Sequence, residues 1–326
     1  MKILVTGGLG FIGHNVVALL ESAGHDVVIV DNKTTYGTIP QAELDYLVAD
    51  RRKKIKTELI YPIDVADGKN IDWLVKHQQP DLIIHLASFP RQKVVNANPH
   101  LGSRVMSEGL LNLLEASVKH QVKKFVYASS SMVYGDFVEE GFDGMLESAP
   151  TNPLGQYGIM KLSGEWLVRD YTRRCGLVHT IVRPSAVYGP GDVEDRVISK
   201  FMLGAMRGET LKVNGSSETL DFTYVADTAR GIAMAAVNAS ANNNTYNITR
   251  GQAHTLLDAA KLAVKIAGRG SIEVKDRDAS FPTRGALSNT SATNDFGYEP
   301  TTDIEQGFKQ YYDWLANSVY WSQKTV

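Results

Sequence analysis

The first strand-like run of this chain, Lys2–Thr6, ends in Thr6-Gly7-Gly8-Leu9-Gly10-Phe11-Ile12-Gly13, and an apolar helix pattern follows at once. Glycines at 8, 10 and 13 give the spacing G-x-G-x-x-G, and Thr6 opens T-G-x-x-G-x-x-G. Side chains are excluded there for physical reasons: the chain reverses tightly, a ligand approaches the backbone, and the helix packs closely on the strand. The free N–H groups at the start of that helix then form an anion site, suited to a pyrophosphate.

The alternation continues after this turn. Lys2–Thr6, Asp26–Val30, Leu59–Ile63, Leu82–Leu86, Lys124–Ser129 and Val178–Val182 read as strands, rich in Val and Ile and without strict polar alternation, as strands covered on both faces should be. Helical patterns at Ile12–Ser22, Gln41–Lys54, Ile71–Lys76, Pro99–His120 and Leu154–Arg173 separate them. Regular β–α alternation predicts an α/β fold with a doubly wound parallel (Rossmann) sheet. After Val182 the texture changes to a turn-rich segment, a helix at Arg196–Arg207, short strands at Leu211–Val213, Asp221–Val225 and Thr245–Ile248, and helices at Leu256–Ala267 and Asp303–Leu315. A smaller mixed α/β C-terminal lobe is expected, with residues 1–183 and 221–250 forming the dinucleotide domain and 184–220 and 251–326 the substrate lobe.

Composition removes several function classes. Thirty-four basic against 36 acidic residues leave a net charge of -2, so no nucleic-acid or anionic-membrane footprint is expected. The single Cys175 offers neither a disulfide nor a thiolate metal cage, and the eight histidines show no metal spacing. Met1–Val5 runs straight into the first strand without a signal-peptide pattern, and no apolar stretch is long enough to span a bilayer, which predicts a cytoplasmic protein.

The second strand ends at Asp31-Asn32, 18 residues beyond Gly13, near the offset of an acid that binds an adenosine ribose. A carboxylate there accepts from both ribose hydroxyls and repels a 2′-phosphate, so NAD is favoured over NADP. Asp64, after the third strand, is a candidate for the adenine amine or a turn aspartate. Further on, Tyr157-Gly158-Ile159-Met160-Lys161 places a phenol and an ammonium four residues apart on one helix face. An unperturbed phenol titrates near ~10, and a neighbouring cation is expected to lower that value toward working pH. The fifth strand ends in Ser129-Ser130-Ser131-Met132, hydroxyls at the carboxyl edge of a parallel strand, where ligands of open α/β sheets bind.

TGGLGFIG, Asp31-Asn32, the serine triplet before Val133-Tyr134-Gly135, Tyr157-x-x-x-Lys161, Arg183-Pro-x-x-Val-Tyr-Gly-Pro and Asp221-Phe222-Thr223-Tyr224-Val225 together resemble the extended short-chain dehydrogenase/reductase superfamily. The resemblance is narrower still to its NAD-dependent epimerase/dehydratase branch, typified by UDP-glucose 4-epimerase, and spans nearly the whole chain. It implies Ser130 and Tyr157 as catalytic groups, with Lys161 holding the nicotinamide ribose. It implies cofactor contacts from Gly7, Gly10, Phe11, Ile12, Gly13, Asp31, Asn32, Asp64, Val65, Leu86, Ala87, Ser88, Ser129, Tyr157, Lys161 and Pro184. Substrate contacts are expected from Ser88, Ser130, Ser131, Met132, Tyr157, Arg196 and Arg277, and no metal is expected. The implied reaction is NAD-retaining inversion of a nucleotide-activated sugar through a keto intermediate, in a homodimer formed by two long helices per chain.

The chain departs from that pattern in informative places. Ser131 and Met132 stand where the dehydratases carry Asp-Glu, and Met132 where decarboxylating relatives keep Glu, which favours epimerisation. Ala186 replaces an Asn, and Leu220 an Arg, that hold the nucleotide diphosphate; Met106-Ser107-Glu108-Gly109-Leu110 replaces N-x-x-G-T. Each lost charge-assisted contact is worth roughly 1.5–3 kcal/mol, so Arg196, Arg277 and Arg284 are candidate replacements. These losses keep a net NAD-dependent oxidoreductase, or a dehydratase or decarboxylase, open as alternatives; a non-catalytic cofactor sensor fits poorly with Ser130, Tyr157 and Lys161 all present. Arg51-Arg52-Lys53-Lys54 with Lys56 reads as a solvated helix face, His85 as a partly buried imidazole, Cys175 as a small packed side chain, and Glu139, Glu140, Asp143 and Glu147 as an acidic loop insert.

Overall fold

The computed structural model describes residues 1–89, 91–137, 144–192 and 196–318. The first half runs β1 (Lys2–Thr6), α1 (Gly13–Ser22), β2 (Asp26–Val30), α2 (Gln41–Arg52), β3 (Ile60–Tyr61), α3 (Gly68–Gln78) and β4 (Leu82–His85). It continues through α4 (Gln92–Ala97), α5 (Pro99–Ser103), α6 (Gly109–Lys119), β5 (Lys124–Ala128), α7 (Gly155–Cys175) and β6 (Val178–Pro184). The remainder comprises α8 (Val197–Arg207), β7 (Thr210–Asn214), β8 (Thr219–Asp221), α9 (Val225–Val237), β9 (Asn244–Ile248), β10 (Ala253–Thr255), α10 (Leu256–Ala267), β11 (Ser271–Lys275), α11 (Thr290–Phe296) and α12 (Ile304–Ala316).

Seven strands form one sheet in the order β3-β2-β1-β4-β5-β6-β9, and every pairing is parallel. Alternate residues of a strand face opposite sides, so each strand feeds two cores. Ile3 and Val5 of β1 pack with α1, α9 and α11 on one face, while Leu4 joins the cluster formed with α3, α6 and α7 on the other. Both faces being apolar, the strands carry no polar alternation, as their sequence implied. Strand order reverses between β1 and β4, so the connections leaving their carboxyl ends run to opposite faces of the sheet and leave a crevice above the paired strand ends.

The second lobe has its own core, built from α8, α10, α12 and the pairs β8–β10 and β7–β11. Helix α2 reaches into it through Leu47, which is fully buried there. No helix among the described residues is long and apolar enough to cross a membrane.

Three local expectations need correction. The strand expected at Asp221–Val225 is Thr219–Asp221, and Val225 instead opens α9, an Ala-rich helix with no separate sequence signal upstream. The helix expected over Pro99–His120 contains a π-helical turn at Arg104–Glu108, between α5 and α6. Cys175 is exposed, because it sits on the last turn of α7 just before the left-handed Gly176.

Candidate active site

The crevice is a cavity of about 910 Å³, walled by the glycine turn, the ends of β2, β4 and β5, the start of α7, and side chains of the second lobe. Its wall brings together Gly7, Gly10, Phe11, Ile12, Gly13, Asp31, Asn32, Val65, Leu86, Ala87, Ser88, Ser129, Ser130, Ser131, Met132, Tyr157, Lys161, Pro184, Arg196 and Arg277. Asp64 is not part of this wall. Its carboxylate accepts from the Ala66 N–H at 2.9 Å and caps the turn after β3.

The glycine turn leaves no room for side chains. Gly7 has a φ of +69°, and a Cβ on it would lie 2.8 Å from the Ala87 nitrogen. A Cβ on Gly10 would approach the Gly7 carbonyl to 2.9 Å, and one on Gly13 would collide with the same oxygen. Helix α1 begins at Gly13 with no side-chain cap; the N–H groups of His14 and Asn15 go to the Gly10 and Ile12 carbonyls, so the anion site is the turn itself and the positive end of the helix. Asp31 braces the turn from β2: one carboxylate oxygen accepts from the Leu9 N–H at 2.9 Å, the other from the Lys33 N–H at 2.8 Å. Burial pushes this carboxyl up, while those N–H groups and Arg51 pull it down. The Ser88 hydroxyl, buried at the end of β4, has no hydrogen-bond partner among the described residues. A cradle without Cβ atoms, an acid beside it and a buried free hydroxyl fit a dinucleotide.

At the other end, Ser130 caps a 3₁₀ turn at Ser131–Val133 by accepting from the Met132 N–H at 3.2 Å. The same hydroxyl also acts on the Tyr157 phenol, favouring its ionised form. Lys161 Nζ lies 5.9 Å from the Tyr157 ring centre and donates to the Ala128 carbonyl at 2.7 Å. Burial acts on both groups against their charged forms. It raises the phenol, opposed by Arg196 and the Ser130 hydroxyl, and it lowers Lys161 to about 7, opposed by Glu165. This corrects the sequence expectation: the phenol is not lowered toward working pH in the free site; burial raises it, and Arg196 is a cation that favours the phenolate. Arg196 pairs with Asp192 at 3.0 Å and lies 5.6 Å over the Phe11 ring.

The other serines are held differently. Ser129 donates to Glu165 Oε1 at 2.6 Å, and Ser131 to the Ser185 hydroxyl at 3.1 Å. Glu165 is fully buried and forms a bidentate pair with Arg183, at 2.8 and 2.7 Å, beneath the serine triplet. Arg183 in turn donates to the Tyr134 hydroxyl at 2.8 Å, which donates to Asn247 at 2.7 Å. Tyr157, Lys161 and Glu165 follow at four-residue spacing along α7, so one helix stripe supplies the phenol, the amine and the buried acid. Sequence reasoning missed Glu165, although the four-residue step beyond Lys161 was a usable signal.

From the second lobe, Arg284 donates to the Met132 sulfur at 3.9 Å, and Arg277 pairs with Glu218 at 2.8 Å and donates to the Phe281 carbonyl at 2.9 Å. Leu220 is buried in the apolar cluster and Ala186 takes a φ of +36°; both line the cavity. Arg51 contradicts its sequence reading. It is 5% exposed and donates to the carbonyls of Leu9 at 3.0 Å and Gly191 at 2.6 Å, because the end of α2 turns inward behind the glycine turn. His85 is buried against the Thr6 hydroxyl at 2.7 Å, with burial lowering it to about 3. Of the acidic insert, Glu139, Glu140 and Asp143 lie outside the described residues, and Glu147 accepts from the Asn247 N–H at 2.9 Å.

Comparison with known proteins agrees with this geometry. Residues 3–249 match the NAD dependent epimerase/dehydratase family. The chain is 28% identical to dTDP-glucose 4,6-dehydratase of Neisseria meningitidis, covering all of this chain (100%) and 96% of that protein. It superposes on UDP-glucose 4-epimerase of Thermotoga maritima, solved with UDP-glucose, with a TM-score of 0.87 at 28% identity over 98% of this chain and 100% of that one. UDP-glucuronic acid 4-epimerase of Bacillus cereus, solved with UDP-glucuronic acid and NAD, gives a TM-score of 0.86 at 26% identity, covering 97% and 99%. The chain therefore belongs to the NAD dependent epimerase/dehydratase family, and its cofactor is NAD.

Proposed function

We propose that this protein is a cytoplasmic nucleotide-sugar epimerase that inverts C4 through a transient ketone and keeps its NAD between turnovers. One observation carries the choice of epimerisation over elimination. The two positions after Ser130 hold a hydroxyl committed to Ser185 and a thioether against Arg284, so no acid or base stands ready to remove water. The basic side chains of the cavity wall, Arg196, Arg277 and Arg284 among them, suit an anionic diphosphate.

In this reading Gly7, Gly10, Phe11, Ile12 and Gly13 hold the pyrophosphate, Asp31 and Asn32 the adenosine ribose, and Val65, Leu86, Ala87, Ser88 and Pro184 the rest of the cofactor, in a domain of residues 1–183 and 221–250. When bound there, NAD would supply a reversible hydride acceptor for the carbinol carbon. Ser130 holds the sugar oxygen, and the Tyr157 phenolate accepts its proton, which the same phenol gives back after the ketone has turned over. Arg196 stabilises the phenolate, and Lys161 donates to the cofactor ribose. The sugar's ring faces Met132, and its diphosphate meets Arg277 and Arg284 from the lobe of residues 184–220 and 251–326.

Exposed Leu111 and Val118 on α6, and Ile159 and Trp166 on α7, repeat at seven-residue intervals and form an apolar stripe suited to a two-fold, four-helix homodimer contact. A net oxidoreductase is the second reading, favoured by the absence of a cation at Leu220. Denaturing one portion of the purified protein to release its cofactor, and incubating a native portion with UDP- and dTDP-sugars followed by chromatography of the products, separates the two. The epimerase releases near-stoichiometric NAD and interconverts a sugar pair without net NADH; accumulation of NADH defeats it. Tyr157→Phe should lower turnover by about 10²–10⁴-fold with NAD content unchanged, and an unaltered rate refutes the catalytic assignment.

A further inference from the structure

We propose that Arg51 is a positioning residue that latches the glycine turn to the Gly189–Asp192 turn of the second lobe, so that cofactor and sugar nucleotide bind as coupled events. This rests on the functional reading above, in that both ligands occupy the one cavity.

The contacts form a closed ring. The Leu9 peptide is gripped on both sides by opposite charges: Asp31 accepts from its N–H at 2.9 Å, and Arg51 donates to its carbonyl at 3.0 Å. The other arm of the guanidinium donates to the Gly191 carbonyl at 2.6 Å, 140 residues away in sequence. The next residue, Asp192, is 1% exposed, pairs with Arg196 at 3.0 Å and accepts from the Ser199 hydroxyl at 3.3 Å in the first turn of α8. Arg196 then returns to the glycine turn, 5.6 Å over the Phe11 ring. Leu9 and Phe11 belong to the cofactor turn, while Gly191, Asp192 and Arg196 lead into the second lobe.

The helix that carries Arg51 is itself clamped by that lobe. Leu47, one turn earlier on the same face, is buried in the lobe's core, and Asp50 accepts from the Trp314 indole N–H at 3.2 Å. A ligand that fixes Leu9 and Phe11 therefore fixes Arg196 through two routes, and a ligand held by Arg196 fixes the turn in return, which is the reciprocity that linked binding requires. A guanidinium can serve two carbonyls in different directions at once, whereas an ammonium on a flexible stem does so poorly.

The test follows NAD loss from purified holoenzyme by timed gel filtration, with and without saturating UDP, dTDP or GDP as the nucleotide probe. In the wild type the probe that binds should slow NAD release by about tenfold, within the usual range of coupling between sites. In Arg51→Met the slowing should fall to about twofold or less while the probe's affinity for NAD-free protein changes little, and Arg51→Lys should restore part of it. A merely structural role would weaken both ligands without changing the ratio. Retention of the full slowing in Arg51→Met, or no slowing in the wild type, overturns the latch and leaves the enzymatic reading standing. If Arg51→Met does not fold, undiminished slowing in Arg51→Lys has the same force. Wild-type protein that carries no NAD, or binds none of the probes, overturns the enzymatic reading and this inference with it.

Discussion

The two ends of the cavity are built by opposite means. At the end proposed to take NAD the surface is backbone: Gly7, Gly10 and Gly13 leave no room for side chains, and Asp31 fixes the turn through peptide hydrogen bonds. At the end proposed to take the sugar the surface is side chains, Ser130, Met132, Tyr157, Arg196, Arg277 and Arg284, contributed by elements far apart in sequence and steadied from below by the Glu165–Arg183 pair. The first arrangement is specified locally and tolerates almost no substitution. The second is specified by long-range packing and is where the chain departs most from its family's pattern.

Four substitutions can break or sharpen this contrast. The largest effect is expected for Glu165→Gln, which leaves the 3%-exposed Arg183 without its carboxylate; a loss of about 3–5 kcal/mol in urea unfolding is predicted, and a loss under about 1 kcal/mol would deny that the pair supports the sugar end. Gly13→Ala drives a methyl group into the Gly7 carbonyl and should destabilise by about 1–3 kcal/mol and empty the purified protein of NAD, while UDP still binds. Co-purification of full NAD with that variant would contradict the backbone-built site.

Next comes Lys161, which burial lowers to about 7 from an unfolded value near ~10.4. Between these values the unfolded chain holds a proton that the native protein does not, so this group makes stability rise with pH through the window and fall again toward pH 7. In NAD-free protein the wild type should gain up to ~1.4 kcal/mol per pH unit relative to Lys161→Met, read from urea unfolding at pH 7, 8 and 9; parallel curves refute the assignment. The smallest effect is that of Ala186→Asn. Its φ of +36° suits Asn better than Ala, and the melting temperature should rise by about 1–2 °C. A fall would show that the departure is compensated by packing.

How much of this was legible in the chain follows the same division. The parallel sheet, the glycine turn and the Tyr157–Lys161 step were readable because strand burial, chain reversal and helical period are local properties. Arg51 was misread because a run of four basic residues looks solvated, and only the inward turn of α2 separates it from Arg52 and its neighbours. The electrostatics of Tyr157 and Lys161 were misjudged because sequence shows which charges are adjacent but not how little water reaches them. Helix α9 was not separately read: the Asp221–Val225 motif looked extended, and its second half is the entry to a helix whose Ala-rich face carries little periodic contrast.

The stripe along α7 has a consequence for how this chain can change over time. Each residue added to an α-helix rotates everything beyond it by about 100°. A single insertion between Tyr157 and Glu165 would therefore swing the deeper groups of the stripe out of register with the phenol, whatever residue was added. That segment works as a ruler: its count of residues is frozen, and length variation in descendants of this chain must collect elsewhere.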